Sequence, residues 1–316
     1  MTDQQEQISQ TTNFRAIASL VIAILALSWI TIFFRLLEGE IGPFATAFHR
    51  VWLATILLWL WNGIGYVRHQ FSQKLSPNKS VKQHPYTPLV VLQLLVAGIS
   101  LAGHLLLLAW SVSQISLANT SVLANMTPIW TVLLGWLIWG QEFDKIFFIG
   151  MGVAIVGASA IGIEDWQLAT GNLKADGVAI VASIIYSTYL LPIEYLRSHL
   201  SSTTILSWTS TISTLFILPI ALITENQLFP HSWSGWVFVI LLGLICQLLG
   251  QGLVTYCLKS LSSGLLAVGK LLIPIINGFL AWALFSEILS FWNYVAFALV
   301  LLGIYIANQG KVSKQA

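Results

Sequence analysis

Long apolar stretches alternate with short polar breaks along almost the whole chain. Cut at charges and turn residues, the pattern predicts ten helices: Ala16–Phe34, Pro43–Trp61, Leu89–Trp110, Leu117–Gly140, Ile146–Ile163, Gly177–Ile193, Thr203–Ile223, Trp236–Cys257, Gly264–Phe285 and Trp292–Asn308. About 20 residues per helix suffice to cross a hydrocarbon core of about 30 Å. No water is present there to satisfy backbone N–H and C=O groups, which favours helices. The longest break, Gly65–Tyr86, is polar and basic. The polar stretch Met1–Asn13 leads into a full-length apolar segment with no small-residue cleavage site, so the first helix is expected to be retained.

Composition sharpens this to an all-α integral membrane fold. Of 316 residues, 57% are hydrophobic and only 8% charged, and mean hydropathy is +0.82. About a quarter of a soluble domain is charged. Most of the outer surface is therefore expected to face lipid. A net charge of +2 with no basic, aromatic-interleaved patch gives no sign of nucleic-acid binding. An even number of helices puts both termini on one side. With the termini inside, ten Lys and Arg fall in inner segments and two, Arg35 and Lys174, in outer loops. Arg50 and Lys270 lie within helices. This bias predicts cytoplasmic termini and a multi-pass protein of the cell (plasma or inner) membrane. Trp59, Trp61, Trp139, Trp166, Trp233, Trp236 and Trp292 fall near helix ends, where an aromatic belt would lie. Cys246 and Cys257, eleven residues apart on one helix, stand roughly 16 Å apart, too far for a disulfide.

The segment Ile115–Ile161 lies within Leu261–Asn308 at a constant shift of 146, pairing Ser116 with Ser262, Pro128 with Pro274, Trp136 with Trp282 and Gly157 with Gly303. Five helices per half make the second half enter from the opposite side, an inverted repeat of the kind found in secondary transporters. The expected units are residues 16–163 and 175–309, with polar tails at 1–15 and 310–316.

Several motifs recur within these units: Trp29, Arg50, Pro128-Ile129-Trp130, Trp136, Gly140-Gln141-Glu142 and Gly150 to Gly157, then Pro274-Ile275-Ile276, Trp282, Ser286-Glu287 and Gly303. Together they resemble the EamA-like family of the drug/metabolite transporter superfamily, over about residues 16 to 309. The resemblance implies two tandem five-helix repeats and transport of a small solute. The first-half acid departs from the pattern, with Gln141 in its place and Glu142 one residue on.

Lys270 is the leading candidate for chemistry. A charge within the hydrocarbon costs roughly 2.5 kcal/mol or more. It is expected to anchor a substrate carboxylate or phosphate, or else to snorkel to the interface. Pro274 and Asn277 are expected on its face, and Pro274, lacking an N–H, to free a carbonyl near Lys270. Gly243, Gln247, Gln251 and Thr255, each four apart, form a polar stripe that reads equally as solute contact or interhelical bonding. Asn125, His104, Tyr186, Trp29, Trp110 and Tyr256 complete the candidate cavity lining. His104 reads as a proton relay or a satisfied structural histidine. Pro128 and Pro274 are structural or gating candidates. Arg50 is likewise a structural or gating candidate, read as a clamp on backbone carbonyls, beside His49, whose side chain points about 100° away.

The expected function is secondary transport of a small polar or amphipathic metabolite, amino-acid-like, an organic anion or similar, by alternating access. A channel or an intramembrane enzyme is the alternative. No GxxxxGK[ST] loop for ATP occurs, and no catalytic residue, metal site or cofactor is expected. Partners are the solute, the bilayer and, as an open candidate, a second copy forming a homodimer. The helix centres hold almost no acid, which favours exchange, facilitated movement or a His relay over a carboxylate relay.

Overall fold

A computed structural model describes residues 2–75, 86–114, 120, 123–124, 126–166, 173–286 and 290–310. The described elements are helical: α1 (Thr2–Leu37), α2 (Pro43–Leu75), α3 (Pro88–Val112), α4 (Thr127–Trp139), α5 (Lys145–Trp166), α6 (Leu173–Leu196), α7 (Ser202–Thr224), α8 (Trp233–Cys257), α9 (Ser263–Gly269, Lys270–Leu272 and Ile273–Phe285) and α10 (Phe291–Gln309). Eight stretches within these are long and apolar enough to cross a membrane, and Thr127–Trp139 and Lys145–Ala160 are shorter apolar helices. Much of the front of the predicted Leu117–Gly140 helix lies outside the described residues.

Local chemistry sets the helix starts. Side-chain oxygens of Thr87, Ser201, Ser232, Ser262 and Ser290 accept the backbone N–H three residues on, at the front of α3, α7, α8, α9 and α10. Asp144 does the same for α5 through Phe147. Each satisfies one of the orphan donors of a helix N-terminus. Between α1 and α2, Glu40 takes the Ser232 and His231 N–H groups. Hydrogen bonding from Ser232 holds its carboxyl below the usual carboxylate range. Glu225, after α7, accepts from the Phe44 N–H at 2.9 Å.

Four expectations need correction. First, α1 runs back into the predicted polar tail, and α2 runs past Trp61 to Leu75, into the predicted connection. Apolarity marks the stretch that can sit in lipid, not where a helix must end, and no proline follows Pro43 until Pro77. Second, α8 is not one regular α-helix, since Leu242–Gln251 is a π-helix. Third, the carbonyl near Pro274 is not free. Lys270–Leu272 tightens into a 3-10 turn, and the Ile273 N–H donates to the Lys270 carbonyl. Fourth, that turn separates Lys270 from Asn277. The ammonium lies over Tyr186 of α6, while Asn277 bonds Thr31 of α1.

The outer surface is apolar. Trp61, Trp136, Leu137, Trp233, Trp282, Trp292 and Tyr305 are exposed. Inside, Tyr189, Leu190, Ile193, Leu196 and Ile205 are buried among residues of α1, α2, α3, α8 and α9. Lipid is as apolar as these side chains, so close packing rather than water exclusion holds such helices together. The closest packing joins α5 to α10. A Cβ on Gly150 would strike the Ala307 backbone, one on Gly303 the Ala154 backbone, and one on Gly157 would stand 2.7 Å from the Val300 nitrogen.

Helices α4 and α9 pack onto this pair through Val132, Val268, Leu271 and Ile275. The thirteen-residue helices Thr127–Trp139 and Ile273–Phe285 are 146 residues apart at both ends. Each has proline in its first turn and ends in the left-handed region, at Gly140 (φ 61°) and Ser286 (φ 54°). Glycine takes that conformation without penalty, whereas serine carries a Cβ into it.

Candidate functional site

Lys270, at the break in α9, is half-buried, and its Nζ sits 3.7 Å from the centroid of the Tyr186 ring. A cation over an aromatic face gains about 0.5–2 kcal/mol. Removing an ion from water costs several. The ring alone therefore does not balance the charge.

Arg50 of α2 is buried and donates from Nε to Gln247 Oε1 at 3.2 Å. Gln247 Nε2 donates to Ser210 Oγ of α7 at 3.2 Å. Both ends of the Gln247 amide are thus engaged, and they fix the Arg50 fork. The Arg50 charge acts on Lys270, His104, Tyr186 and Tyr189, so these groups form one electrostatic cluster. Gln251, one π-turn beyond Gln247, donates to the Tyr189 hydroxyl at 3.0 Å and lies 3.4 Å from the Tyr186 hydroxyl. Thr255 Oγ1 returns to the Gln251 carbonyl at 2.9 Å.

The His104 ring of α3 lies 4.5 Å from the Tyr186 ring, tilted by 42°, and has Nδ1 2.9 Å from the Ala182 carbonyl. A carbonyl only accepts, so Nδ1 carries the proton and a neutral ring presents Nε2 as an acceptor. His49 is engaged elsewhere. Trp52 donates to its Nδ1 at 2.7 Å, and its Nε2 lies 2.8 Å from the Leu228 carbonyl, ahead of α8. The adjacent histidine and arginine therefore act on different targets.

Arg50, His104, Tyr186, Gln247, Gln251 and Lys270 come together in one buried cluster. Asn277 is next to it in sequence order but bonds Thr31 Oγ1 at 3.0 Å, and its Oδ1 is buried without a partner. Trp29 packs on Phe33 with ring centroids 5.8 Å apart. Trp110 is half-buried against Leu123, Ala175 and Ala179. Tyr256 is 43% exposed near Arg197. Pro128 and Pro274 are buried in the first turns of their helices. Asn125 lies outside the described residues.

Sequence reasoning missed Ser210, Thr127 and Thr131. Thr131 Oγ1 lies 3.0 Å from Ser187 Oγ and 2.9 Å from the Thr127 carbonyl. The available signal was the density of Ser and Thr on helices otherwise apolar. No group of three metal-ligating side chains occurs among the described residues.

An apolar exterior around a buried polar cluster, on helices long enough to cross a bilayer, marks a multi-pass membrane protein that handles small solutes. A model of the EamA-like transporter family matches residues 14–163 and 173–309, and the chain belongs to that family. It is similar to the Pseudopaline exporter CntI of Pseudomonas aeruginosa, at 23% identity over 62% of this chain and 67% of that protein. An uncharacterized transporter of Archaeoglobus fulgidus is 22% identical over 92% of this chain and 96% of its own. A solved crystal structure shares the fold with TM-score 0.73 at 16% identity, covering 94% of this chain and 98% of the other.

Proposed function

We propose that the protein is a secondary transporter that carries a small polar or amphipathic metabolite across the cell membrane by alternating access. Ten helices form two inverted five-helix repeats, residues 16–163 and 175–309, with both termini in the cytoplasm. The matching bounds and ends of Thr127–Trp139 and Ile273–Phe285 support the repeat.

The observation that carries the reading is the buried cluster of Arg50, His104, Tyr186, Gln247, Gln251 and Lys270, drawn from both proposed repeats. Buried polar and charged groups within a membrane are costly and mark solute pathways. Solute binding at the repeat interface, with one repeat rocking against the other, is the general logic of such carriers.

Reconstitution into proteoliposomes tests this with labelled organic acids, amino acids and nucleosides. A carrier gives saturable flux, and label accumulates transiently when excess unlabelled solute is inside. Flux that rises linearly with solute and shows no such counterflow would indicate a channel.

A further inference from the structure

The cluster holds two cationic side chains, and the described carboxylates lie away from it. Glu38, Glu40 and Glu225 lie between or beyond helix ends, and Glu142 and Asp144 lie between α4 and α5. Asp176 is in the first turn of α6, and Glu194 near its last turn accepts from Gln141 and the Ser263 N–H. The Arg50 guanidinium makes one hydrogen bond to protein among the described residues, through Nε. Among the described residues the Lys270 ammonium has only the Tyr186 ring. Arg50 is buried and Lys270 half-buried, and neither forms an ion pair among the described residues.

From this we infer that the solute is a small organic dianion, its two negative charges, on separate carboxylates or on one phosphate, shared between the Arg50 fork and Lys270 beside Tyr186. This rests on the carrier reading and gives it a substrate class. A planar guanidinium already aimed by Gln247 offers two terminal nitrogens to a carboxylate or phosphate. Lys270 adds a compact charge. His104 Nε2, the open acceptor beside Tyr186, suits a hydroxyl or N–H donor on the same solute. Net charge then selects. A dianion neutralises both cations, a zwitterion leaves their charge in place, and a cation adds to it. Carboxylate and phosphate share this chemistry.

The purified full-length protein is tested with malate, glycerol 3-phosphate, lactate, methionine and choline, by thermal unfolding and by proteoliposome counterflow. Malate or glycerol 3-phosphate raises the unfolding temperature and supports counterflow, and the stronger of the two identifies the anionic group. Lactate acts at least tenfold more weakly, and methionine and choline not at all. Lys270→Gln and Arg50→Gln each weaken the dianion at least 30-fold, while Arg50→Lys recovers part of that loss.

Counterflow of methionine or choline matching that of the dianions overturns the inference and leaves the carrier reading standing. So does dianion binding that both substitutions leave unchanged in protein of normal thermal stability. Counterflow with none of the five probes, nor with pooled metabolites, overturns the carrier reading as well.

Discussion

Helices α4 and α9 share one backbone design and differ in the chemistry placed on it. Each has thirteen residues after a proline-marked break, and each ends in the left-handed region. Helix α4 packs on α6, and α9 on α1. The α4 seam is closed by hydroxyls, with Thr127, Thr131 and Ser187 bonded to one another or to nearby carbonyls. At the α9 seam Asn277 bonds Thr31 with one amide atom and leaves the other buried and unpartnered. Just before it stands Lys270, where the 146-residue shift places Ala124 in the first half. Solute recognition is therefore expected at the α9 seam. The hydroxyls of the α4 seam are engaged, and its unpartnered polar atom, Trp130 Nε1, is neutral, whereas the α9 seam has both an unpartnered Asn277 carbonyl oxygen and the Lys270 ammonium.

Both seams rest on the α5–α10 pair, so the largest effect should come from separating it. Gly303→Leu forces a side chain into the Ala154 backbone and should cost about 3 kcal/mol of stability. Denaturant or thermal unfolding in detergent would measure it, and loss of flux should accompany it.

Substitution at the α9 seam should separate binding from stability. Lys270→Met removes a half-buried cation that no carboxylate pairs among the described residues. The empty protein should unfold at a higher temperature than the parent, while malate affinity falls by about 2 kcal/mol or more. Lower stability of the empty variant would mean that Lys270 is held by the protein itself.

At the α4 seam, Thr131→Val deletes a buried hydroxyl bonded to Ser187. It should cost about 1 kcal/mol of stability and change malate affinity less than twofold. The smallest effect should be a gain. Ser286→Gly, which makes the α9 end match Gly140, should stabilise by about 1 kcal/mol without altering transport.

Much of this comparison was legible in the sequence. The apolar stretches located the helices, Pro128 and Pro274 stood out as structural candidates inside two of them, and the absence of acid around Lys270 drew attention to it. The rest depends on contacts between helices, which periodicity does not encode. Arg50 read as structural because its partner Gln247 is 197 residues away. The π-helix in α8 and the 3-10 turn at Lys270 leave no mark in composition, yet they aim Gln247, Gln251 and Lys270. Tyr256 matched the lining by residue type, but its exposure near Arg197 sets it apart from the cluster.

The central claim, recognition at the α9 seam and not at its α4 counterpart, is tested most directly by titrating malate against the parent, Lys270→Gln and Thr131→Val in parallel, with heat of binding as the readout. Affinity should fall at least 30-fold for Lys270→Gln and less than twofold for Thr131→Val. Equal losses at the two seams, or a larger loss at Thr131, would contradict it.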